Sequence, residues 1–317
     1  MAEAELRTFH HSRYPAERIA AERELTVSVC VPTRECAGTI GAVVEALAGL
    51  REAGAIDEVL VIDAGSADGT AEIAEGAGAQ VHQEAELMPE LPELGPVLGK
   101  GDAMWRALSV ARGEVICFVD GDSEEFSAHF ACGLIGPLVC EPQPDEAGGS
   151  DTRSAQRVEL VKGFYRRPFR SGGVTLPEGG GRVNHLTARP ALALFYPELA
   201  AVRQPLAGEV AARRGLLERI PFATGFGVEI AMLIDAWREV GLGGLAQVDL
   251  EVHHNRHRPL AELTEMAETV LATIARRMEA EGRLSGVPER EGPASGAGEA
   301  PLERPPFASL GVAGAPR

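Results

Sequence analysis

The chain has 317 residues, 45% of them hydrophobic, enough for one large α/β domain with an appendage or for two small domains. Its 47 acidic residues against 30 basic ones give a formal net charge of -17, which argues against general binding of nucleic acid or of an anionic membrane. No apolar run is long enough to span a bilayer, and the charged stretch Met1 to Leu25 lacks the apolar core of a secretion signal. The five cysteines (Cys30, Cys36, Cys117, Cys132, Cys140) show no paired metal spacing and read as free thiols of a cytoplasmic protein.

Met1 to Glu24 is polar, rich in Ala, Glu and Arg, and reads as an arm, helical or partly mobile. Leu25 to Val31 is the first strand, broken by Pro32. Thr39 to Ala53 places Ile40, Val43, Val44, Leu47 and Leu50 at helical spacing, with Thr39 as cap. Glu58 to Asp63 is a second buried strand, followed by a loop, Ala64 to Thr70, that can start the helix Ala71 to Gly76. A short strand, Gln80 to Gln83, precedes a loop rich in Pro and Glu, then Lys100-Gly101-Asp102 and the helix Ala103 to Ala111. Strands alternating with helices, without a hairpin signal, predict a parallel sheet with right-handed crossovers.

The run Val115-Ile116-Cys117-Phe118-Val119 is a buried strand that stops at Asp120-Gly121-Asp122. Ligands of open α/β sheets bind at the carboxyl ends of the strands, and two hard oxygen ligands beside a glycine suit Mg²⁺ or Mn²⁺ holding a diphosphate. Neither G-x-G-x-x-G after a strand nor G-x-x-x-x-G-K-[ST] occurs, so the dinucleotide fingerprint and the P-loop are both absent.

In the second half, Val158 to Phe164 and Gln247 to Val252 read as strands, and Phe226 to Val240 as a largely buried helix with Glu229 near its start. The window Arg157 to Arg189 holds seven basic residues against two acidic ones and includes Gly179-Gly180-Gly181, whose backbone can approach an anion closely. That excess, in an acidic chain, predicts a small multiply charged anion as ligand. The strand ending at Val252 runs into His253-His254-Asn255-Arg256-His257, a source of a metal ligand if it faces the aspartates. A helix from Leu260 to about Glu279 follows, and the tail from residue 283 reads as disordered.

Pro32, Asp63 to Thr70 and Asp120-Gly121-Asp122 together resemble a GT-A glycosyltransferase. Gly99 to Arg106, Lys162-Gly163-Phe164-Tyr165-Arg166-Arg167-Pro168, Gly179 to Val183, Phe226 to Ile230 and Asn255 to Leu260 narrow the resemblance to the glucosyl-3-phosphoglycerate synthases and their mannosyl relatives. It runs from about Val27 to Met278 and implies an α/β fold: a mostly parallel, Rossmann-like sheet flanked by helices. A donor subdomain over residues 25–140 and an acceptor subdomain over 141–282 would share that sheet.

The resemblance implies a retaining enzyme. Mannose from GDP-mannose, glucose from UDP-glucose, or both, would pass to the 2-hydroxyl of D-3-phosphoglycerate, giving a precursor of a compatible solute or polysaccharide. It implies Mg²⁺ or Mn²⁺ as cofactor and a homodimer. Donor contacts would come from Pro32, Glu35, Asp63, Ser66, Lys100, Asp120 and Gly121, and acceptor contacts from Gly181, Arg182, Val183, Asn184 and Arg256. Asp122, Glu229 and Lys100 would carry the chemistry. The metal would sit on Asp122 with His254 or His257, since the family's metal histidine aligns with Asn255 unless a gap is opened. Glu35-Cys36 stands where relatives carry Asn-Glu, which leaves uracil and guanine both open. Two rivals differ in kind. A nucleotidyltransferase would need a Gly- and Lys-rich loop near the N-terminus, and a binding protein without turnover would hold nucleotide yet form no product.

Overall fold

The computed structural model describes residues 6–141, 156–171, 174–177, 179–254, 260–286 and 303–311. From the N-terminus, β1 (Arg7–His10) and α1 (Ala16–Glu22) precede β2 (Val27–Thr33), α2 (Ile40–Glu52), β3 (Glu58–Asp63), α3 (Thr70–Gly76) and β4 (Gln80–Gln83). Then come α4 (Lys100–Ala107), β5 (Val115–Phe118), α5 (His129–Val139) and β6 (Leu160–Arg166). A small hairpin, β7 (Phe169–Ser171) with β8 (Val174–Leu176), leads to α6 (Arg189–Phe195), β9 (Val210–Arg213) and α7 (Arg214–Arg219). The chain continues through β10 (Phe222–Ala223), α8 (Val228–Val240), β11 (Leu245–Val252), α9 (Leu260–Ala280) and β12 (Glu303–Arg304).

One sheet has the order β1-β11-β6-β9-β5-β2-β3-β4 among the described residues. Its central strands are apolar because both faces are covered. Val29 and Val31 of β2, Val59 and Val61 of β3, and Val115 and Cys117 of β5 pack on the α2 and α5 side; Cys30, Leu60, Ile62, Ile116 and Phe118 point to the α4 and α8 side. This period of two on three adjacent strands leaves no solvated face and sets their register. All five cysteines are free. Among the described residues no helix is long and apolar enough to cross a membrane.

Every strand of the large sheet is parallel to its neighbours except β9, which runs antiparallel to both β5 and β6. The sheet is thus mostly parallel, as the resemblance implied, and the strands read from alternation in the first half, β2 to β5, are all parallel. The exception has a consequence: the start of β9 lies at the same sheet edge as the ends of β5 and β6, with Val210 opposite both Phe118 and Lys162. Residues just before β9 are thus delivered to the carboxyl ends of its neighbours.

Two terminal expectations are corrected. The N-terminal arm is not only helical: Arg7–His10 adds a parallel edge strand to β11, and Tyr14 is buried against Gly136 of α5. The tail is not wholly without structure either. Glu303–Arg304 pairs with β10, and Trp105 Nε1 donates to Pro305 O at 2.9 Å. Arg304, 2% exposed, donates to Asp102 Oδ1 and Oδ2 at 2.8 and 2.6 Å and to Leu94 O and Pro96 O at 2.6 and 3.0 Å. Asp102 is fully buried, so composition failed here because one arginine answers a charge 202 residues away. Among the described residues, Arg304→Ala would leave Asp102 with Arg106, at 3.2 Å, as its one cationic partner. The expected loss is about 3–5 kcal/mol of unfolding free energy, the cost of breaking a buried ion pair on one side. Urea denaturation measures it, and an unchanged midpoint would contradict the packing.

Candidate active site

The carboxyl ends of β2, β3 and β5 meet where the strand order reverses, the position at which open α/β sheets bind ligands. Asp120 and Asp122 follow β5 there. Gly121 between them has no room for a side chain: a Cβ would lie 2.7 Å from Thr33 Cγ2, and its carbonyl accepts from Thr39 Oγ1 at 2.7 Å. The glycine lets the turn settle on the end of β2 and aims the two carboxylates differently. Asp120 points inward and Asp122 reaches solvent.

Asp120 is held by α4. Lys100, the first residue of that helix, places Nζ 2.5 Å from Asp120 Oδ1 and 2.9 Å from Glu229 Oε1 of α8. Glycines make this bridge possible. A Cβ on Gly101 would collide with Ala223 O and stand 3.0 Å from Val228 Cβ, while Gly99 adopts φ +83 in the turn before the helix. Without side chains there, α4 docks on the start of α8 and lysine meets glutamate. The helix begins at Lys100, three residues earlier than periodicity suggests, and Asp102 in its first turn reaches back, Oδ2 accepting from Leu98 N at 2.9 Å. Burial alone would lower the Lys100 ammonium, but the Asp120 and Glu229 charges outweigh it and hold its pKa well up. Burial likewise opposes the Asp120 anion, yet Lys100 brings the net shift down.

Asp122 behaves in the opposite way. Displaced water and then the Asp120 charge push its carboxyl above the ordinary range, although its side chain is exposed. It makes no hydrogen bond among the described residues. An exposed carboxylate with hard oxygens, kept from comfortable ionisation by neighbouring anions, fits a divalent cation, whose charge would relieve the repulsion.

Beneath the aspartates lies a buried polar layer that sequence reasoning missed. Gly208 precedes β9, and a Cβ there would sit 2.6 Å from Asp120 Cγ. Glu209, 1% exposed, accepts from Tyr165 OH at 2.7 Å and approaches His253 Nε2 to 3.4 Å. His253 Nε2 also lies 3.0 Å from Ser123 Oγ, itself bonded to Asp120 O at 3.1 Å. Glu209 Oε1 and His253 Nδ1 have no hydrogen-bond partner among the described residues. Glu209 carried no signal, since Gly208-Glu209-Val210-Ala211-Ala212 reads neither as a motif nor as a strong strand. His253 stood in the histidine run, but nothing in the run said which ring turns inward.

Lys162 completes the floor. It is 2% exposed and donates to Ala207 O. Burial pushes its ammonium down to about 8, with Glu229 opposing and Lys100 assisting. A lysine titrating lower folded than unfolded costs stability at pH below the folded value, and the cost fades as pH rises toward the ordinary 10.5. Wild-type unfolding free energy should therefore climb between about pH 8 and 10.5 relative to Lys162→Met. The hydrogen bond lost by the variant is a constant offset, so parallel pH profiles would refute the buried titration.

The other donor residues expected from the sequence gather at the ends of β2 and β3 and on the loops after them. Pro32 is half-buried at the end of β2. Asp63 is 1% exposed and taken up by the turn: its carboxylate accepts from Thr33 Oγ1 (3.1 Å), Ser66 N (2.9 Å), Ser66 Oγ (2.6 Å) and Gln83 Nε2 (3.3 Å). Glu35, at φ +53, receives Ala67 N on Oε1 at 2.9 Å and donates its own N–H to Ser66 Oγ at 2.9 Å. These bonds pin the loops after β2 and β3 to each other, so Asp63 supports the rim rather than offering a free carboxylate.

On the acceptor side the basic window divides. Arg157 precedes β6 and lines a cavity with Leu25, Glu114 and Arg213, at the opposite end of the strand from Arg166. At roughly 3.3 Å per residue, β6 separates them by about 20 Å, so Arg157 belongs to no anion site with the others. Gly180 N donates to Arg167 O at 3.0 Å, and Gly181 adopts φ +68. Arg182 is half-buried, its guanidinium 5.4 Å from the Phe169 ring centroid. Val183 is buried in the core. Asn184 is 6% exposed and turned to backbone: it donates to Arg203 O at 3.3 Å and accepts from Leu206 N at 3.5 Å. Arg167 joins the two halves, donating to Tyr165 OH at 3.2 Å and lending its charge to Asp120. His254 Nε2 lies 3.5 Å from Glu125 Oε2, and its carbonyl accepts from Glu124 N at 3.3 Å, which brings it to the loop after Asp122. Arg256 and His257 lie outside the described residues.

A mostly parallel sheet interrupted by one antiparallel strand, with Asp-Gly-Asp at its switch point, defines a GT-A glycosyltransferase. Residues 28–130 match the Glycosyl transferase family 2 model. Glucosyl-3-phosphoglycerate synthase of Mycolicibacterium smegmatis is 43% identical over 262 residues, covering 83% of this chain and 80% of the relative. The Petrotoga mobilis enzyme of that name is 37% identical over 284 residues, 88% of this chain and 82% of its own. Among solved structures, mannosyl-3-phosphoglycerate synthase from Rubrobacter xylanophilus superposes with a TM-score of 0.80 at 39% identity, over 96% of this chain and 97% of that one. A Mycobacterium tuberculosis glucosyl-3-phosphoglycerate synthase, in complex with Mn²⁺, UDP and glucosyl-3-phosphoglycerate, gives a TM-score of 0.78 at 34% identity, over 96% of this chain and all of that one. The chain belongs to the glucosyl-3-phosphoglycerate synthase family.

Proposed function

We propose that this hexosyltransferase moves glucose from UDP-glucose to the 2-hydroxyl of D-3-phosphoglycerate with retention of the α configuration. The observation that carries this reading is the Asp120–Lys100–Glu229 bridge beneath the exposed Asp122, joined through Arg167 to the Gly180-Gly181-Arg182 turn. GDP-mannose is the second donor, favoured by the likeness to the Rubrobacter xylanophilus enzyme.

Asp120 and Glu229, oriented by one ammonium, accept hydroxyls of the nucleoside and of the sugar. Glu229 is held 2.9 Å from Lys100 Nζ and 8% exposed, which blunts it as a nucleophile. The proposed reaction therefore runs on one face, the departing phosphate oxygen taking the acceptor's proton. Asp122, with His254 or His257, would hold Mg²⁺ or Mn²⁺, which when bound neutralises charge growing on the diphosphate. Arg182 and the Gly181 backbone grip the acceptor's phosphate or carboxylate, a planar fork being suited to both, and align its hydroxyl with the anomeric carbon. A second copy of the chain is the partner proposed for the apolar side chains of Leu186 and Leu194, 77% and 72% exposed and about two helical turns apart. The cytoplasm is the proposed location, since both substrates are cytoplasmic metabolites.

The test is to incubate protein with 3-phosphoglycerate, Mn²⁺ or Mg²⁺, and each donor separately. Glucosyl-3-phosphoglycerate from UDP-glucose is expected. Product from GDP-mannose alone would reassign the donor, and hydrolysis without transfer to 3-phosphoglycerate would overturn the acceptor.

A further inference from the structure

We propose that His10, His11 and Glu251 form a second metal site, selective for Zn²⁺-like transition ions and separate from the aspartate pair. The topology brings them together. Strand β1 runs parallel to β11 with His10 opposite Asp249, and the register of β11 shifts between Asp249 and Val252. That irregularity puts Glu251 at φ +68, a left-handed conformation unfavourable for a residue with a side chain, while its N–H is tied to Asp249 Oδ1 at 2.8 Å. Backbone strain of this kind persists where surroundings impose it, and it clusters at ligand sites. Here it swings Glu251 onto the two histidines.

The distances suit a ligand set. Glu251 Oε1 stands 3.3 Å from His11 Nε2 and 3.7 Å from His10 Nε2, and one ligand atom from each of the three residues lies within 4.8 Å of the other two. A charge-assisted hydrogen bond would close such a gap to about 2.7–2.9 Å. Ligands bonded at about 2.0–2.2 Å to a tetrahedral ion instead stand roughly 3.3–3.6 Å apart along each edge. Both observed separations are near that edge length. His11 Nε2 is buried and faces Glu251 without a hydrogen bond of good geometry, so the pair is open to an ion between them.

The surroundings hold the rings. His11 lies 4.5 Å from the His10 centroid and 4.3 Å from that of His129, which stacks on Phe130 at 4.6 Å. His129 is a wall and not a ligand, because its nitrogens face Ser127 Oγ at 3.0 Å and Leu250 O at 3.3 Å. His10 Nδ1 lies 2.8 Å from Ser12 Oγ and receives Ser12 N at a long 3.3 Å. On metal binding its proton moves to Nδ1, the hydroxyl accepts it, and the long contact is given up. Two imidazoles and one carboxylate with a fourth position open to water suit Zn²⁺, Co²⁺ or Ni²⁺ and not Mg²⁺. Such an ion would clasp the N-terminal strand to β11 two residues before His253.

The test titrates the full-length protein with Co²⁺ in excess Mg²⁺, following the visible absorption of tetrahedral cobalt. One equivalent is expected, displaced by Zn²⁺, with affinity about 30-fold weaker in His11→Ala and Glu251→Gln and unchanged in Asp122→Ala. Glu251→Gly removes a ligand and relieves the φ +68 strain, so it should lose the metal-induced rise in Tm while its metal-free Tm holds or increases. No cobalt band in the wild type, a band insensitive to both ligand substitutions, or loss only in Asp122→Ala would overturn the site.

Discussion

Asp122→Ala is expected to lower kcat/KM by about two to three orders of magnitude, roughly 3–4 kcal/mol of transition-state stabilisation, and to leave the unfolding midpoint unchanged. The two halves of that result have separate causes. Asp122 is exposed and without a hydrogen bond among the described residues, so the fold loses nothing when it goes. Its pKa is raised by displaced water and by Asp120, so removing it slightly relieves repulsion. The catalytic loss follows if this carboxylate is the hard ligand that anchors the cation on the diphosphate. Comparing wild type and variant over a Mn²⁺ titration separates the explanations. A variant that recovers at high Mn²⁺ has lost only affinity. Near-wild-type turnover in a chelator would remove Asp122 from the chemistry altogether.

Lys100→Met should damage both activity and stability. Its ammonium is the shared partner of Asp120 and Glu229, whose side chains are 19% and 10% exposed. Deleting the cation leaves two carboxylates facing each other in partial burial. The expected cost is about 2–4 kcal/mol, a little under that of a fully buried pair because some solvent reaches the group. The pH dependence has a definite sign. The Asp120 carboxyl titrates lower in the folded than in the unfolded protein, so its contribution is present above about pH 4 and disappears as pH falls through the depressed folded value. Without Lys100, burial and Glu229 would push Asp120 upward instead, and protonation would relieve the variant. The stability gap should accordingly be widest near pH 7 and shrink in acid. Urea unfolding at pH 7 and below pH 4 checks this, and a gap that stays constant would show that the ion pair contributes little. Turnover should fall at least as far as in Asp122→Ala, since the carboxylates proposed to hold the nucleoside and the sugar lose their alignment.

Several parts of the site were legible because they depend on local rules. Asp120 and Asp122 terminate an apolar strand, Lys100 is one of two lysines in the chain, and Gly179-Gly180-Gly181 allows close backbone approach. Each is a short-range signal. Glu209 and His253 were not legible, because their roles come from β9 running antiparallel between β5 and β6, pairings of segments more than ninety and about fifty residues apart. The histidine run illustrates the limit well. Its composition announced a ligand, but only the bonds from His253 Nε2 to Ser123 and toward Glu209 show which ring turns inward. Arg304 was hidden for a similar reason: Pro, Gly, Ala and Glu around it predict no structure, and a buried carboxylate elsewhere in the chain recruits it.

The amino-acid sequence alone determined the layered α/β architecture, the strand ends at which ligands gather, and the acidic pair. These follow from periodicity and from residues that change the backbone within a few positions. Tertiary structure decided the rest: that Asp63 and Asn184 serve their own loops, that Lys100 bridges two carboxylates, and that Arg157 lies at the far end of its strand. A charged side chain has several partners within reach of its composition. Which one it meets is set by strand order and by the glycines that let helices approach, and those distances exist only once the chain has folded.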